Sequence, residues 1–164
     1  ANRMERMQSR IKRAGAFGVK RRMIAATDDR WVAENVGRAD RVLVDVPCTG
    51  SGTWRRDVNA KWRYQPRDLE ALCKDQRSIL GSASKLVKTG GRLVYATCSL
   101  LREENEQQVE WFLANFCNFG ILSMPEVWDE TIGSQPPLTG PCLRLSPAST
   151  GTDGFFCVVL ERQK

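Results

Sequence analysis

The 164-residue chain contains no histidine. That absence rules out a Cys-His or Ser-His nucleophile pair built within the chain, and any zinc site that relies on imidazole. The six cysteines, at 48, 73, 98, 117, 142 and 157, include no Cys-x-x-Cys pair. Structural zinc sites are normally built from such close pairs, so no metal is expected. No apolar run approaches the roughly 20 residues that a membrane-spanning helix needs. No charged-then-apolar leader opens the chain, so the expectation is a cytoplasmic protein whose thiols stay reduced. Internal repeats and low-complexity tracts are missing as well. Gly50 and Gly52 are too few to cradle a phosphate and read as turn residues.

What is present is ordinary for a folded domain: 27% charged and 41% hydrophobic residues, with length for one core. The net charge of +6 is unevenly placed. Residues 1–41 carry eleven Lys/Arg against five Asp/Glu, whereas the remaining residues carry fourteen of each. A basic face at one end suits a polyanion, RNA or DNA, although a solvated basic helix reads the same way.

The periodicity alternates between helix and strand, the signature of an α/β fold. Residues 3–14 read as a helix stopped by Gly15 and Gly18, and Val19–Ala26 as a strand. Trp31–Val36 form a short helix closed by Gly37, and Arg41–Val46 a buried parallel strand. Residues 49–66 read as a long loop. Pro66 opens a crossover helix with Leu69, Leu72, Cys73, Gln76, Ile79, Leu80, Ala83, Leu86 and Val87 on one face, ended by Thr89-Gly90-Gly91. A second strand runs from Arg92 to Cys98. Glu103, Glu104 and Glu106 suit the first turns of the next helix, where acid complements the helix dipole. Val109, Phe112, Leu113 and Phe116 form its buried stripe. Residues 123–151 read as an irregular connection, and Phe155–Leu160 as the last strand.

Two cysteines stand out because each ends an apolar strand: Cys48 in Val44-Asp45-Val46-Pro47-Cys48-Thr49-Gly50, and Cys98 in Tyr95-Ala96-Thr97-Cys98-Ser99. In a parallel sheet, ligands bind beyond the carboxyl ends of the strands, so both sulfurs belong on one rim. A thiolate there, facing cations, is a candidate nucleophile, with Asp45 as a nearby acid. A buried structural role is the bland alternative for either sulfur. Cys73 and Cys157 read as small core residues. In the 49–66 loop, Trp54, Trp62 and Tyr64 interleave with Arg55, Arg56, Lys61 and Arg63. Aromatic faces there could stack unpaired bases while the cations meet phosphates. Pinning of the loop by its tryptophans is the alternative.

These residues match a known family. Asp45-Val46-Pro47-Cys48-Thr49-Gly50-Ser51-Gly52-Thr53 resembles the first cysteine motif of the Sun-type, RsmB-like RNA cytosine-5 methyltransferases. Ala96-Thr97-Cys98-Ser99, followed by Glu104-Asn105-Glu106, resembles the second. Gly151-Thr152-Asp153-Gly154-Phe155-Phe156 resembles the closing element, and the Arg/Met-rich opening helix also fits. The resemblance implies a Rossmann-like class I methyltransferase fold, with residues 1–164 forming one partial catalytic domain. It implies that Cys98 attacks carbon 6 of a cytosine in RNA and that Cys48 helps remove the carbon-5 proton and release the enzyme. S-adenosylmethionine would be the methyl donor, with Asp28 near its adenosine part and Asp45 near cofactor and base. The substrate would be ribosomal RNA, with transfer RNA the alternative. The chain departs from the family in one respect: the Gly-rich cofactor loop and the first strands should precede residue 1. The expectation is therefore a C-terminal part of the enzyme, whose partner is its own missing N-terminal half.

Two other readings remain from the sequence. One is a non-catalytic RNA-binding fragment without a complete cofactor site. The other is an amino-group methyltransferase, whose equivalent loop carries Asn/Asp-Pro-Pro and an aromatic. Pro47-Cys48 stands in that place here and argues against it.

Overall fold

The computed structural model describes residues 2–24, 29–134, 136–137 and 140–164. In chain order the elements are α1 (Asn2–Arg13), α2 (Arg30–Glu34), β1 (Ala39–Asp45), α3 (Val58–Arg63), α4 (Pro66–Ser84), β2 (Val87–Thr97), α5 (Glu106–Asn115), β3 (Phe119–Ile121), α6 (Met124–Ile132), β4 (Leu143–Leu145), α7 (Pro147–Thr150) and β5 (Phe155–Arg162). A 3₁₀ turn lies at Ser51–Thr53.

The sheet runs β1-β2-β5-β3, with β4 also paired to β5. β1 and β2 are parallel, in register from Arg41 opposite Arg92 to Asp45 opposite Ala96. β5 returns antiparallel against β2. Parallel neighbours require a crossover, and α4 supplies it. Pro66 at its first turn removes an amide that has no helical partner, and the Gln65 amide donates to Asp68 Oδ2 at 3.0 Å. Asp68→Ala deletes that acceptor at an exposed position. The expected loss is about 1 kcal/mol of unfolding free energy, read from a urea titration.

α4 packs on β1 and β2, and α5 packs beside it. The core gathers Val44 and Val46, Leu80 of α4, Leu93 and Tyr95 of β2, and Phe156, Val158 and Leu160 of β5. Phe112 of α5 is fully buried and stacks on Phe116, with ring centroids 4.5 Å apart.

Several expectations are corrected. β1 is not buried on both faces: Val44 and Val46 are buried while Leu43 is 70% exposed. α4 packs on the strand, while Leu43, on the opposite face from Val44, stays open among the described residues. The strand expected over Val19–Ala26 is absent from its described part, 19–24. Val19, Met23 and Ile24 are exposed there, with no neighbouring strand among the described residues to pair their backbone. Asp28 lies outside the described residues. The 49–66 segment is not an open loop, since it holds the 3₁₀ turn and α3. α4 ends at Ser84, so Val87 begins β2 and Thr89-Gly90-Gly91 falls inside that strand. Gly90, at φ +73°, permits the bend where the β1–β2 register shifts. The 123–151 connection contains α6, β4 and α7, and β3 precedes it. Part of its Pro and Gly content marks helix starts and stops: Pro125 and Pro147 open α6 and α7, and Gly133 and Gly151 close them at positive φ.

Candidate active site

β1 and β2 end side by side, and their continuations carry the two cysteines to the same rim. The Cys48 and Cys98 sulfurs stand 3.4 Å apart. At that distance one thiol donates to the other, and the two cannot readily ionise together. The hydrogen bond from Cys48 lowers the Cys98 thiol from its ordinary value of 9.0 to about 7, against the opposing effect of burial. The same bond, reinforced by burial, drives the Cys48 thiol upward. The pair therefore shares one proton, with the bond and the deeper burial of Cys48 favouring the thiolate on Cys98.

Backbone contact brings the two loops together. The Gly52 amide donates to the Cys98 carbonyl, and the Gly154 amide to the Gly52 carbonyl, both at 2.9 Å. A Cβ on Gly52 would lie 2.5 Å from the Gly154 carbonyl oxygen, so glycine is required for this approach. The three sequence motifs are thus stacked backbone on backbone, with the Asp153-Gly154 turn closing over the Cys48 loop. The Ser51 and Ser99 hydroxyls meet at 3.0 Å, and Ser51 Oγ also accepts from the Leu100 amide at 2.9 Å.

Beneath the sulfurs lies a buried polar layer that the sequence reading did not assign to the site. Gln76, Thr97, Ser99, Glu104 and Asn105 are at most 1% exposed. Glu104 Oε1 accepts from the Thr49 amide at 2.9 Å, and Oε2 accepts from the Thr49 hydroxyl at 2.6 Å. Gln76 Nε2 donates to Glu104 Oε1 and to the Pro47 carbonyl, at 3.0 and 2.9 Å. Tyr95, whose hydroxyl burial keeps protonated, donates to the Glu104 carbonyl at 2.6 Å. The signal that could have found this layer is Gln76, a polar residue on the otherwise apolar stripe of α4. Glu104 is not a helix-dipole acid: α5 begins at Glu106, and residues 102–105 form turns ahead of it.

The remaining site expectations divide. Asp45 is exposed at the end of β1, beside a cavity of about 630 Å³ also lined by Arg6, Met7 and Arg10. Arg55 and Arg56 both pair with Asp153, and Arg63 pairs with Asp57. Those three cations are exposed but engaged. Trp62 is 78% exposed, with the Lys61 ammonium 5.7 Å from its ring centroid. Trp54 is instead tied down, its ring 5.9 Å from Tyr64 and its Nε1 donating to the Thr49 carbonyl at 3.4 Å. Cys73 and Cys157, expected in the core, are only partly buried, and Cys73 donates to the Glu103 carbonyl. No helix among the described residues is long and apolar enough to cross a membrane.

A model of the family described as 16S rRNA methyltransferase RsmB/F matches residues 1–161. The ribosomal RNA small subunit methyltransferase B of Enterobacter sp. (strain 638) is 33% identical over 161 residues, covering 98% of this chain and 35% of its own length. The crystal structure of PH0851 superposes with a TM-score of 0.84 at 34% identity, over 98% of this chain and 34% of that one. The structure of NSun6 from Pyrococcus horikoshii with SFG gives 0.75 at 29% identity, over 99% of this chain and 39% of that one. The chain spans about a third of the length of the curated relatives it matches. The sheet is thus a Rossmann-like methyltransferase sheet. With the match running through all three motifs that meet at the sulfurs, the chain belongs to the RsmB/F family of 16S rRNA methyltransferases.

Proposed function

We propose that this chain is part of the catalytic domain of an RNA cytosine-5 methyltransferase acting on ribosomal RNA, with Cys98 as nucleophile. One observation carries the reading: two thiols in contact at the ends of adjacent parallel strands, one depressed to about 7 and the other raised. A lone structural cysteine has no use for such a pair. A soft nucleophile that ionises near neutrality suits addition to the electron-poor carbon 6 of a cytosine, which must be single-stranded or flipped out to be reached.

The residues then divide the work. The Cys98 thiolate forms a bond to carbon 6, and the electron pair displaced from the 5,6 double bond makes carbon 5 nucleophilic. Cys48 yields its proton to the ring as that charge develops. S-adenosylmethionine, when bound, supplies the electrophilic methyl group. The Cys48 thiolate then takes the carbon-5 proton, the 5,6 double bond re-forms, and Cys98 leaves as thiolate. The ring gives its added proton to solvent, and both sulfurs return to their starting states.

The residues present fit one side of the cofactor. Asp45 offers an exposed carboxylate for amino or hydroxyl donors beside the 630 Å³ cavity, and Met7 lends that cavity an apolar wall. That NSun6 from P. horikoshii was solved with SFG, an analogue of S-adenosylmethionine, supports the choice of donor. Asp28 is proposed for the adenosine part from the family resemblance alone. For RNA, Trp62 and Lys61 form the free stacking and cationic surface, joined by Arg55, Arg56 and Arg63 where phosphates displace their carboxylate partners.

Mixing the chain with S-adenosylmethionine and RNA containing 5-fluorocytosine tests this reading, because fluorine at carbon 5 blocks the final proton loss. A covalent adduct is expected on denaturing gels, absent in Cys98→Ala and retained in Cys48→Ala. An adduct that survives Cys98→Ala overturns the nucleophile assignment. RNA retained without any adduct favours the non-catalytic binding reading.

A further inference from the structure

The buried layer beneath the sulfurs has an order of its own. Gln76 and Glu104 grip the peptides on both sides of Cys48: Gln76 Nε2 holds the Pro47 carbonyl, and the Glu104 carboxylate holds the amide and hydroxyl of Thr49. Asn105 bonds the residues on both sides of Cys98. Its Oδ1 accepts from the Thr97 hydroxyl at 2.6 Å, and its Nδ2 donates to the Ser99 carbonyl at 2.9 Å. Two consecutive side chains thus reach in two directions, Asn105 to both neighbours of Cys98 and Glu104, together with Gln76, to both neighbours of Cys48. Fixing the residues before and after a cysteine fixes the direction of its Cα–Cβ bond, and so the position of its sulfur. Other direct links join the two segments on either side of Cys48, from the Val46 amide to the Ala96 carbonyl and through Thr49, Gly52 and Ser51, but none of them bonds the Pro47 carbonyl or the Thr49 amide. Burying a carboxylate is costly unless its oxygens are fully bonded, so this one is an expensive way merely to fill space.

We propose that Glu104 and Asn105 are positioning residues, a two-sided clamp that holds the Cys48 and Cys98 sulfurs in contact. The proposal rests on the reading of both sulfurs as the reacting pair, but its test requires neither RNA nor cofactor. Thiol–disulfide exchange measures how closely two sulfurs are held. One oxidised glutathione converts the Cys48 and Cys98 thiols to a disulfide and is released as two reduced glutathione molecules. The equilibrium constant scales with the effective concentration of one thiol at the other.

The experiment equilibrates the chain with glutathione buffers and quantifies the 48–98 linked peptide by mass spectrometry. Glu104→Ala and Asn105→Ala are each expected to lower the constant about tenfold, the factor carried by one lost hydrogen bond to a charged or buried partner. Glu104→Gln is expected to recover most of it, since its carbonyl oxygen still accepts from the Thr49 amide. A Glu104→Ala chain with native circular dichroism and a constant within about twofold of wild type overturns the clamp. Should Glu104→Ala fail to fold, Thr49→Val removes the 2.6 Å hydroxyl bond to Glu104, together with the hydroxyl's two longer contacts at 3.4 Å to Ser99 Oγ and the Ser51 amide, at similar volume. It should still lower the constant about threefold, and an unchanged value overturns the proposal equally. A chain that shows these losses yet never traps 5-fluorocytosine keeps the clamp and loses the reaction.

Discussion

Gly52→Ala is expected to lower the unfolding free energy by about 3 kcal/mol, more than a surface glycine replacement costs. The new methyl carbon would sit 2.5, 2.6 and 2.7 Å from the carbonyl oxygen, Cα and carbonyl carbon of Gly154. All three are backbone atoms, so no rotamer change relieves the overlap. The Asp153-Gly154 turn must move away, and it cannot do so alone. Gly154 leads directly into β5, which pairs with β2, β3 and β4. Moving the turn also strains the Gly154 amide bond to Gly52 and the paired Arg55, Arg56 and Asp153. Urea titration of the variant beside wild type measures the loss. Gly154→Ala meets Gly52 Cα at 2.5 Å from the opposite side. The double variant is therefore expected to cost less than the two singles added, since both act on one contact. A loss below about 0.5 kcal/mol for Gly52→Ala would mean that the loops separate freely.

At pH 7, iodoacetamide is expected to alkylate Cys98 roughly fifty to a hundred times faster than Cys142 or Cys157. About half of a thiol at about 7 is ionised there, whereas burial pushes Cys142 and Cys157 up to about 11, leaving roughly one molecule in ten thousand as thiolate. The advantage in thiolate is thus about five-thousandfold. Intrinsic nucleophilicity falls with pKa, and over four units this returns a factor of about forty to a hundred. The sign with pH follows directly. The Cys98 rate should climb from pH 5, pass half its maximum near 7 and level off, while Cys142 and Cys157 continue to accelerate toward pH 11. Cys48→Ala removes the hydrogen bond that lowers Cys98 most, so its half-maximum should rise toward 9.0. Cys48→Ser retains a donor and should move it less. Peptide mapping of the alkylated sites over a pH series reads all of this, and a wild-type Cys98 midpoint near 9 would contradict it.

The ends of the strands were legible because β1, β2 and β5 are built around the mostly apolar runs 42–46, 93–96 and 155–160, bounded by Pro47, Cys98 and Gly154. The adjacency of Cys48 and Cys98 followed from one inference, that the helical stripe after Pro66 was a crossover. α6 was hidden because Ser123, Pro125 and Gly133 punctuate a helix of only nine residues, although Met124, Val127, Trp128 and Ile132 recur at helical spacing within it. The 19–24 segment failed for the opposite reason. Val19, Met23 and Ile24 suit a strand despite the cations between them, Lys20, Arg21 and Arg22, but strand formation depends on a neighbour, and pairing is a property of the sheet rather than of six residues. The polar layer was the deepest miss. Glu104 sits in a run of acids that local reasoning sends to solvent, and only the fold shows that Thr49, 55 positions away, awaits it.

The parallel crossover also governs when the site can exist. The sulfur contact joins residues 50 apart in sequence, and Glu104 reaches across 55. Closing so long a loop gains nothing until α4 is docked and the β1–β2 ladder is in register, so these contacts belong to the late, non-local part of folding. Until then each sulfur is an ordinary thiol on a mobile chain, with neither depressed nor raised acidity. Chemical reactivity at Cys98 is in that sense a timer: a pulse of alkylating reagent during refolding would report the moment at which the topology closes.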